Sequence, residues 1–354
     1  MVKEAHIALT QSWPFEDLES VSVCPACGRP DQLLLHGDLV DNVFRVAPGK
    51  WTLVQCTNCN SAYLDPRPTQ SSIGRAYGTY YTHNKVVDKE QPGSLSRTRL
   101  LRRAFANGYV NNRYGTQYYP ANRFGFVLAR ILPSLFETLN TQFRWLPNSG
   151  PGQRLLDVGC GNGAFLLSAR DAGWEVMGCD TDSKAVAIAQ ERGLEVREGS
   201  IDSLADESGL FDAITVSHVI EHVHNPREVL IAVHRLLKPG GLVYFDTPNI
   251  ESYGHKKFGS NWRGLETPRH LTLFSIRGFQ LLLQSSGFVD IKLKRRRSVI
   301  RDMFLKSLRL KKGFSPYNNT PKSLPLYLLL RTFIPFLPVS RLEFITLLAR
   351  KDVT

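Results

Sequence analysis

The sequence predicts an α/β fold, a doubly wound and mostly parallel sheet with a small metal-stapled module ahead of it. Strand-like and helix-like runs alternate through residues 151–300, and two Cys-x-x-Cys pairs stand within residues 20–66. Alternating strands and helices imply right-handed βαβ units and a sheet covered on both faces. Paired cysteines imply a metal that holds together a segment too small to build its own core. The 354 residues leave room for one substantial domain and one or two attachments. We divide the chain into 20–66, a zinc-ribbon-like module; 67–150, a linker or lid rich in Tyr, Arg, Asn and Gly; 151–300, the α/β domain; and 301–354, a basic and then apolar extension.

The elements follow in order. An apolar run from Phe124 to Leu139 reads as a helix. Arg154–Val158 is a short strand, a glycine-rich turn follows, and Ala164–Ala172 is a helix. Glu175–Asp180 is the second strand. The next helix, Ser183–Arg192, has Asp182 or Ser183 as N-cap and Gly193 as its stop. Leu194–Arg197 and Phe211–Val216 are strands, Pro226–Leu237 a helix and Leu242–Asp246 the fifth strand. A helix over Ile276–Ser286 precedes two late strands, Phe288–Leu293 and Ser298–Phe304.

The strongest motif is Asp157-Val158-Gly159-Cys160-Gly161-Asn162-Gly163. Glycines let the backbone turn sharply and approach a ligand, and the helix that follows offers unpaired amides. In such sheets a ligand sits beyond the carboxyl ends of the strands. The spacing is Gly-x-Gly-x-Gly, and a carboxylate stands two residues ahead of the first glycine. That carboxylate would repel a pyrophosphate, so it speaks against a dinucleotide and for a ligand with a cationic amino-acid end. S-adenosyl-L-methionine (SAM) has that end, plus a ribose whose hydroxyls Asp180 can accept.

Together with Gly178-Cys179-Asp180, Phe211-Asp212-Ala213-Ile214 and Leu236-Leu237-Lys238-Pro239-Gly240-Gly241, this motif resembles the class I SAM-dependent methyltransferases, of the type found in ubiquinone and menaquinone biosynthesis. The resemblance implies a Rossmann-like methyltransferase sheet. It implies that Asp157, Gly159, Gly161 and Gly163 line the methionine part of SAM, that Asp180 holds the ribose, and that Ile201 and Asp202 border the adenine. Many relatives carry an acid directly after the glycine of that last segment, where this chain has Ser200.

Methyl transfer from a sulfonium asks the protein to align a nucleophile and remove its proton. The residues after the fourth strand, Ser217-His218-Val219-Ile220-Glu221-His222-Val223-His224, supply candidates. On a helical turn His218 and His222 would share a face, with Glu221 beside His218. Either imidazole would serve as general base and Glu221 would orient it; a role in SAM binding or loop shape is the alternative. His-x-x-Glu-His is also a metalloprotease pattern, but zinc proteases need that run within a helix plus a distal third ligand, and here it follows a strand, so we do not read it as a metal site. A second acceptor-side candidate is the run Asn261-Trp262-Arg263-Gly264-Leu265-Glu266-Thr267-Pro268-Arg269-His270-Leu271, read as pocket or lid; a solvated connection is the alternative.

Cys24, Cys27, Cys56 and Cys59 are the expected ligands of one structural Zn2+, with iron as the other metal that suits four sulfurs. Cys160 and Cys179 read as small core residues. Zinc ribbons accompany such domains both in sugar methyltransferases and in ribosomal-RNA methyltransferases. The net charge of +12 points to an anionic partner. The basic tract Lys292, Lys294, Arg295, Arg296, Arg297, Arg301, Lys306, Arg309, Lys311, Lys312, followed by apolar Leu324–Leu337, would touch an anionic membrane or a lipid-linked acceptor, or be a solvated strand edge and a packing helix. Tyr77, Tyr80, Tyr81 and His83 would cap the site, with plain packing as the alternative. The first twenty residues hold four acids and no apolar run, and no uncharged stretch reaches the ~20 residues of a spanning helix. A cytoplasmic location is expected, with peripheral contact at the inner membrane as the variant. The expected function is methylation of a small-molecule acceptor: a sugar, nucleotide sugar or lipid-linked glycan precursor. The alternatives are an RNA acceptor or a non-catalytic zinc-ribbon adaptor.

Overall fold

The computed structural model describes residues 12–78, 96–131, 136–318, 321–326, 328–329 and 338–353. The expectations placed on Tyr80, Tyr81 and His83, and on most of the run 324–337, lie outside these residues. The strands are β1 (Leu18–Glu19), β2 (Gln32–Leu39), β3 (Trp51–Cys56), β4 (Ala62–Leu64), β5 (Arg67–Pro68), β6 (Arg154–Val158), β7 (Glu175–Asp180), β8 (Glu195–Glu198), β9 (Phe211–Ser217), β10 (Leu237–Pro248), β11 (Thr272–Leu273), β12 (Phe288–Lys294) and β13 (Phe344–Lys351). The helices are α1 (Arg97–Tyr114), α2 (Phe124–Ile131), α3 (Glu137–Gln142), α4 (Ala164–Asp171), α5 (Ser183–Glu191), α6 (Pro226–Leu236), α7 (Tyr253–Phe258), α8 (Ile276–Gln284) and α9 (Ile300–Lys311). A seven-stranded sheet has the order β12-β13-β10-β9-β6-β7-β8.

The chain divides into two compact units, one of Met1–Tyr80, His218–Ile231 and Phe245–Leu347, the other of Tyr81–Ser217, Ala232–Tyr244 and Leu348–Thr354. In the second unit β6, β7, β8 and β9 are parallel, as alternating βα units require. Leu156 sits level with Met177 on one side and Ile214 on the other. All three are buried, as central parallel strands must be. Asp182 caps α5 through its side chain, at 3.1 Å from Lys184 N and 3.3 Å from Ala185 N. Lys238 Nζ and Arg154 N both donate to Asp212 Oδ2, at 2.8 and 2.9 Å. The Phe-Asp and Lys-Pro-Gly-Gly motifs are thus joined by one carboxylate. That segment lies within β10, which begins at Leu237, earlier than the sequence reading placed the fifth strand.

The first unit has its own apolar core, including Trp51, Leu53, Leu64, Trp262, Leu271 and Phe304. Its four-stranded sheet has the order β11-β4-β3-β2, with β11 antiparallel to β4. The cysteine module therefore shares its sheet with a segment more than two hundred residues away, Thr272 level with Tyr63 and Leu273 with Ala62. The expected strand over Ser298–Phe304 is instead the start of α9. Its buried residues Ile300, Met303, Phe304, Ser307 and Leu308 recur at three- and four-residue steps, the period of a helix face. The last strand, β13, falls in the extension, where no strand was expected. No helix among the described residues is long and apolar enough to cross a membrane.

Candidate cofactor and acceptor sites

In the second unit, β6 runs into the glycine turn. Gly159, Gly161 and Gly163 all have positive φ, at 70°, 54° and 77°. A Cβ on Gly163 would meet Leu194 Cδ1 at 2.3 Å, whereas the space beside Gly161 is open to 4 Å. The turn is closed on its helix side and open at its tip. Asp180, at the end of β7, braces that tip: its Oδ2 accepts from Gly161 N at 2.7 Å and its Oδ1 from Asp182 N at 2.9 Å. Each oxygen retains a lone pair for a hydroxyl.

Asp157 is fully buried. Its Oδ1 takes a hydrogen bond from Thr215 Oγ1 at 2.9 Å and an ion pair from Arg144, while its buried Oδ2 has no hydrogen-bond partner. Burial pushes this carboxyl up, against the pull of the Arg144 charge and the Thr215 hydroxyl. A buried acceptor without a donor costs about 1–3 kcal/mol, and a ligand ammonium is a group that would satisfy it. The residues therefore fit SAM's amino-acid end. Arg144 escaped the sequence reading; it lies outside every motif, and only the fold lays its guanidinium over Phe165, 3.6 Å from the ring centroid. Ile201 is buried in a short turn, and Ser200 caps that turn while donating to Asp202 Oδ2 at 2.7 Å.

In the first unit the run from His218 is a turn, not the helical turn anticipated, and His218 itself has φ of 56°. His218 and His222 consequently meet different partners. His218 Nδ1 lies 3.3 Å from Glu221 Oε1, and Nε2 lies 3.2 Å from Asp246 Oδ2 and 3.3 Å from Arg296 Nη1. Arg296 also pairs with Asp246, so this member of the basic tract is committed to an acid of the protein. Glu221 is fully buried, with Thr247 Oγ1 donating to Oε2 at 3.0 Å. Burial alone would raise its carboxyl; the His218 hydrogen bond and the charges of His222, His218 and His270 hold it at about 2.

His222 Nδ1 lies 3.1 Å from the Arg269 carbonyl and 3.0 Å from the Tyr77 hydroxyl. Its ring stands edge-on to that of His270, with centroids 4.7 Å apart. Burial and then the neighbouring His222 lower His270 to about 4, so it is neutral near pH 7. The run 261–271 is interior rather than solvated: Trp262, Leu265, Arg269, His270 and Leu271 are all buried. The four cysteines also gather in this unit, their sulfurs within 4.8 Å of one another. Cys24 and Cys59 are 3.7 Å apart and Cys27 and Cys56 3.5 Å, close to the ~3.8 Å edge of a tetrahedron with zinc–sulfur bonds of ~2.3 Å. Gly28 and Asn60, each directly after a second cysteine, adopt positive φ and turn both knuckles alike.

One buried acid gives a testable pH dependence. Glu343 accepts from Trp262 Nε1 at 2.7 Å and Gly254 N at 2.8 Å, yet burial pushes its carboxyl from 4.5 up to about 7. The folded chain keeps this proton after the unfolded chain has lost it. Stability should therefore decline from about pH 4.5 to about pH 7 and level off above, by up to about 3 kcal/mol. In Glu343→Gln the gap between urea unfolding free energies at pH 5 and pH 8 should shrink by a like amount. An unchanged gap would rule out this ionisation.

The parallel strands, the glycine turn and the strand-end carboxylates are the features by which this domain resembles the class I SAM-dependent methyltransferases. Residues 127–293 match the family described as a methyltransferase domain. The ubiquinone biosynthesis O-methyltransferase of Paracidovorax citrulli is 40% identical over 115 residues, covering 30% of this chain and 48% of that protein. Its counterpart from Albidiferax ferrireducens is 39% identical over 118 residues, covering 30% and 47%. The chain spans about half the length of these curated relatives. Among solved structures, a SAM-dependent methyltransferase from Archaeoglobus fulgidus is similar at a TM-score of 0.41 and 19% identity, over 64% of this chain and 99% of that one.

Proposed function

We propose that the chain methylates a hydroxyl-bearing small molecule of anionic character, a sugar, nucleotide sugar or lipid-linked glycan precursor, and that its four cysteines hold structural zinc. The observation that carries the enzymatic reading is the unsatisfied buried Asp157 Oδ2, on the strand that leads into the open-tipped glycine turn. When bound, SAM supplies a methyl group activated by its own sulfonium charge. The protein's part is to position and to move a proton. Asp157 would take the ammonium and Asp180 the ribose. His218, whose side chain is 40% exposed and whose Nδ1–H is held by Glu221, would accept the acceptor's proton at Nε2, where the acceptor would have to replace the Arg296 contact. Imidazoles and carboxylates in the first unit suit a polar acceptor, and the net charge of +12 suits an anionic one. The relatives named above are O-methyltransferases, which is consistent with oxygen as the nucleophile. Arg296, turned onto Asp246, is one cation fewer for an RNA surface.

Calorimetry with SAM should give binding that Asp180→Ala weakens ten- to a hundredfold, as expected for lost hydrogen bonds to a charged acceptor worth ~1.5–3 kcal/mol. Radiolabelled SAM with fractionated extract should then label the sugar-nucleotide or glycolipid pool. Label in RNA alone would overturn the proposed acceptor.

A further inference from the structure

Glu221, His222 and His270 each present one ligand atom within 4.8 Å of the other two. The three come from two separate stretches of the first unit, the turn after β9 and the buried run before β11. The fold adds His270 to Glu221 and His222 of the local run, and backbone bonds hold it close to Glu221. Leu271 N, the next residue, donates to the Glu221 carbonyl at 2.8 Å.

The hydrogen bonds set the tautomers. His270 Nδ1 lies 2.8 Å from the Gly264 carbonyl and His222 Nδ1 3.1 Å from the Arg269 carbonyl. A carbonyl only accepts, so a proton on Nδ1 satisfies both carbonyl contacts, the Tyr77 hydroxyl accepts from the same His222 proton, and each ring, when neutral, keeps its lone pair on Nε2. Metal-ligating histidines are oriented in this way, by donating the other ring nitrogen to a carbonyl or carboxylate. Glu221 meets the same criterion, with Thr247 Oγ1 on Oε2 and His218 on Oε1. Glu266 is the other acid near His270, 3.9 Å from Nε2, but it is paired with Arg263 and lies 3.4 Å from Arg269 Nε. It therefore neutralises those arginines.

We propose that Glu221, His222 and His270 bind a divalent first-row transition ion, distinct from the metal expected at the four cysteines. Two imidazole nitrogens and one carboxylate oxygen suit borderline ions such as manganese, iron, cobalt or zinc, and a three-ligand set leaves positions open to a second molecule. Closing on the ion would draw the ligand atoms in by an ångström or so, since bonds of ~2.1 Å in a tetrahedral site set them ~3.4 Å apart. The open positions are where an acceptor's oxygen would be held and made easier to deprotonate. That last role rests on the methyltransferase reading; the binding of the ion does not.

The test uses the full chain with its four-cysteine site already filled with zinc and no SAM present. Titration with Co2+ should add about one equivalent with weak visible bands and without the intense thiolate-to-cobalt absorption of a sulfur site. His222→Ala and His270→Ala should each abolish that equivalent while retaining zinc and, by circular dichroism, the fold. His222 is only partly buried, so that variant tests the site even where His270→Ala fails to fold. No added equivalent in the wild type, or one that survives in folded His222→Ala, would overturn the proposal. SAM binding measured separately on the same sample reports on the methyltransferase reading, so the two can fail independently.

Discussion

Stripping the metal from the four-cysteine cluster should cost the first unit stability on the order of 10 kcal/mol and melt its small sheet. The sheet contributes residues to the unit's apolar core, but its strands at this end are short. β4 has three residues and β11 two; the first cysteine pair precedes β2, Cys56 ends β3, and the second knuckle leads into β4. Four sulfurs only 3.5–3.7 Å from their nearest neighbours gain no strong hydrogen bonds from one another. A tetrahedral ion would convert that crowding into four bonds. The damage should spread beyond the module, because α8 is seated on the second knuckle. Ser275 Oγ donates to the Cys59 carbonyl, and a Cβ on Gly278 would meet Ser61 Oγ at 2.1 Å and Cys59 Sγ at 3.1 Å. Urea unfolding before and after chelation, with metal content measured in parallel, checks this; Cys24→Ser/Cys27→Ser should mimic chelation. A metal-free chain with an unchanged unfolding midpoint would end the structural reading of this cluster.

Replacing Arg269 by Met should destabilise the protein by about 3–5 kcal/mol, the range for breaking one half of a buried ion pair. Arg269 and Asp41 are both fully buried. Arg269 Nη1 and Nη2 reach the two oxygens of Asp41, and Nη1 also donates to the Ala76 carbonyl at 2.8 Å. Asp41 further accepts from Phe44 N, Val46 N and Ala47 N at 3.1, 3.0 and 3.2 Å. Without the guanidinium a buried carboxylate would face only amides. Lys should not rescue the site, because a point charge cannot bond both oxygens and the carbonyl together. Burial alone would raise Asp41, but Arg269 and the amides hold it below the usual carboxylate range. By linkage its stabilising share is present at neutral pH and is lost as pH falls through that lowered value. Asp41→Asn should remove most of this acid sensitivity. A loss under 1 kcal/mol in Arg269→Met would show that the pair is replaceable by apolar packing.

Much of this molecule is legible from local chemistry. Gly159, Gly161 and Gly163 announce the turn because positive φ favours glycine. Asp182 announces a helix start because its side chain caps free amides, and two cysteine pairs announce a cluster because four sulfurs at that spacing can close on one ion. The misses have a common cause. The 298–304 segment looks strand-like over seven residues, and its helical period appears only when Ser307 and Leu308 are included. The His-x-x-Glu-His run looks like one helical turn, but the left-handed backbone at His218 sends its two histidines to different partners. Arg296 looks like part of a solvated cationic tract, yet Asp246 claims it.

By itself the sequence determined the class of fold, the glycine turn with its two strand-end carboxylates, and the two cysteine pairs, because each is specified by residues a few positions apart. Only the tertiary structure decided that Arg144 covers Asp157, that β11 completes the module's sheet, and that His270 joins Glu221 and His222. Those partners lie 13 to more than 200 residues apart. No local preference encodes such meetings; they follow from which apolar faces must be buried together and which buried charges must then find a counter-charge.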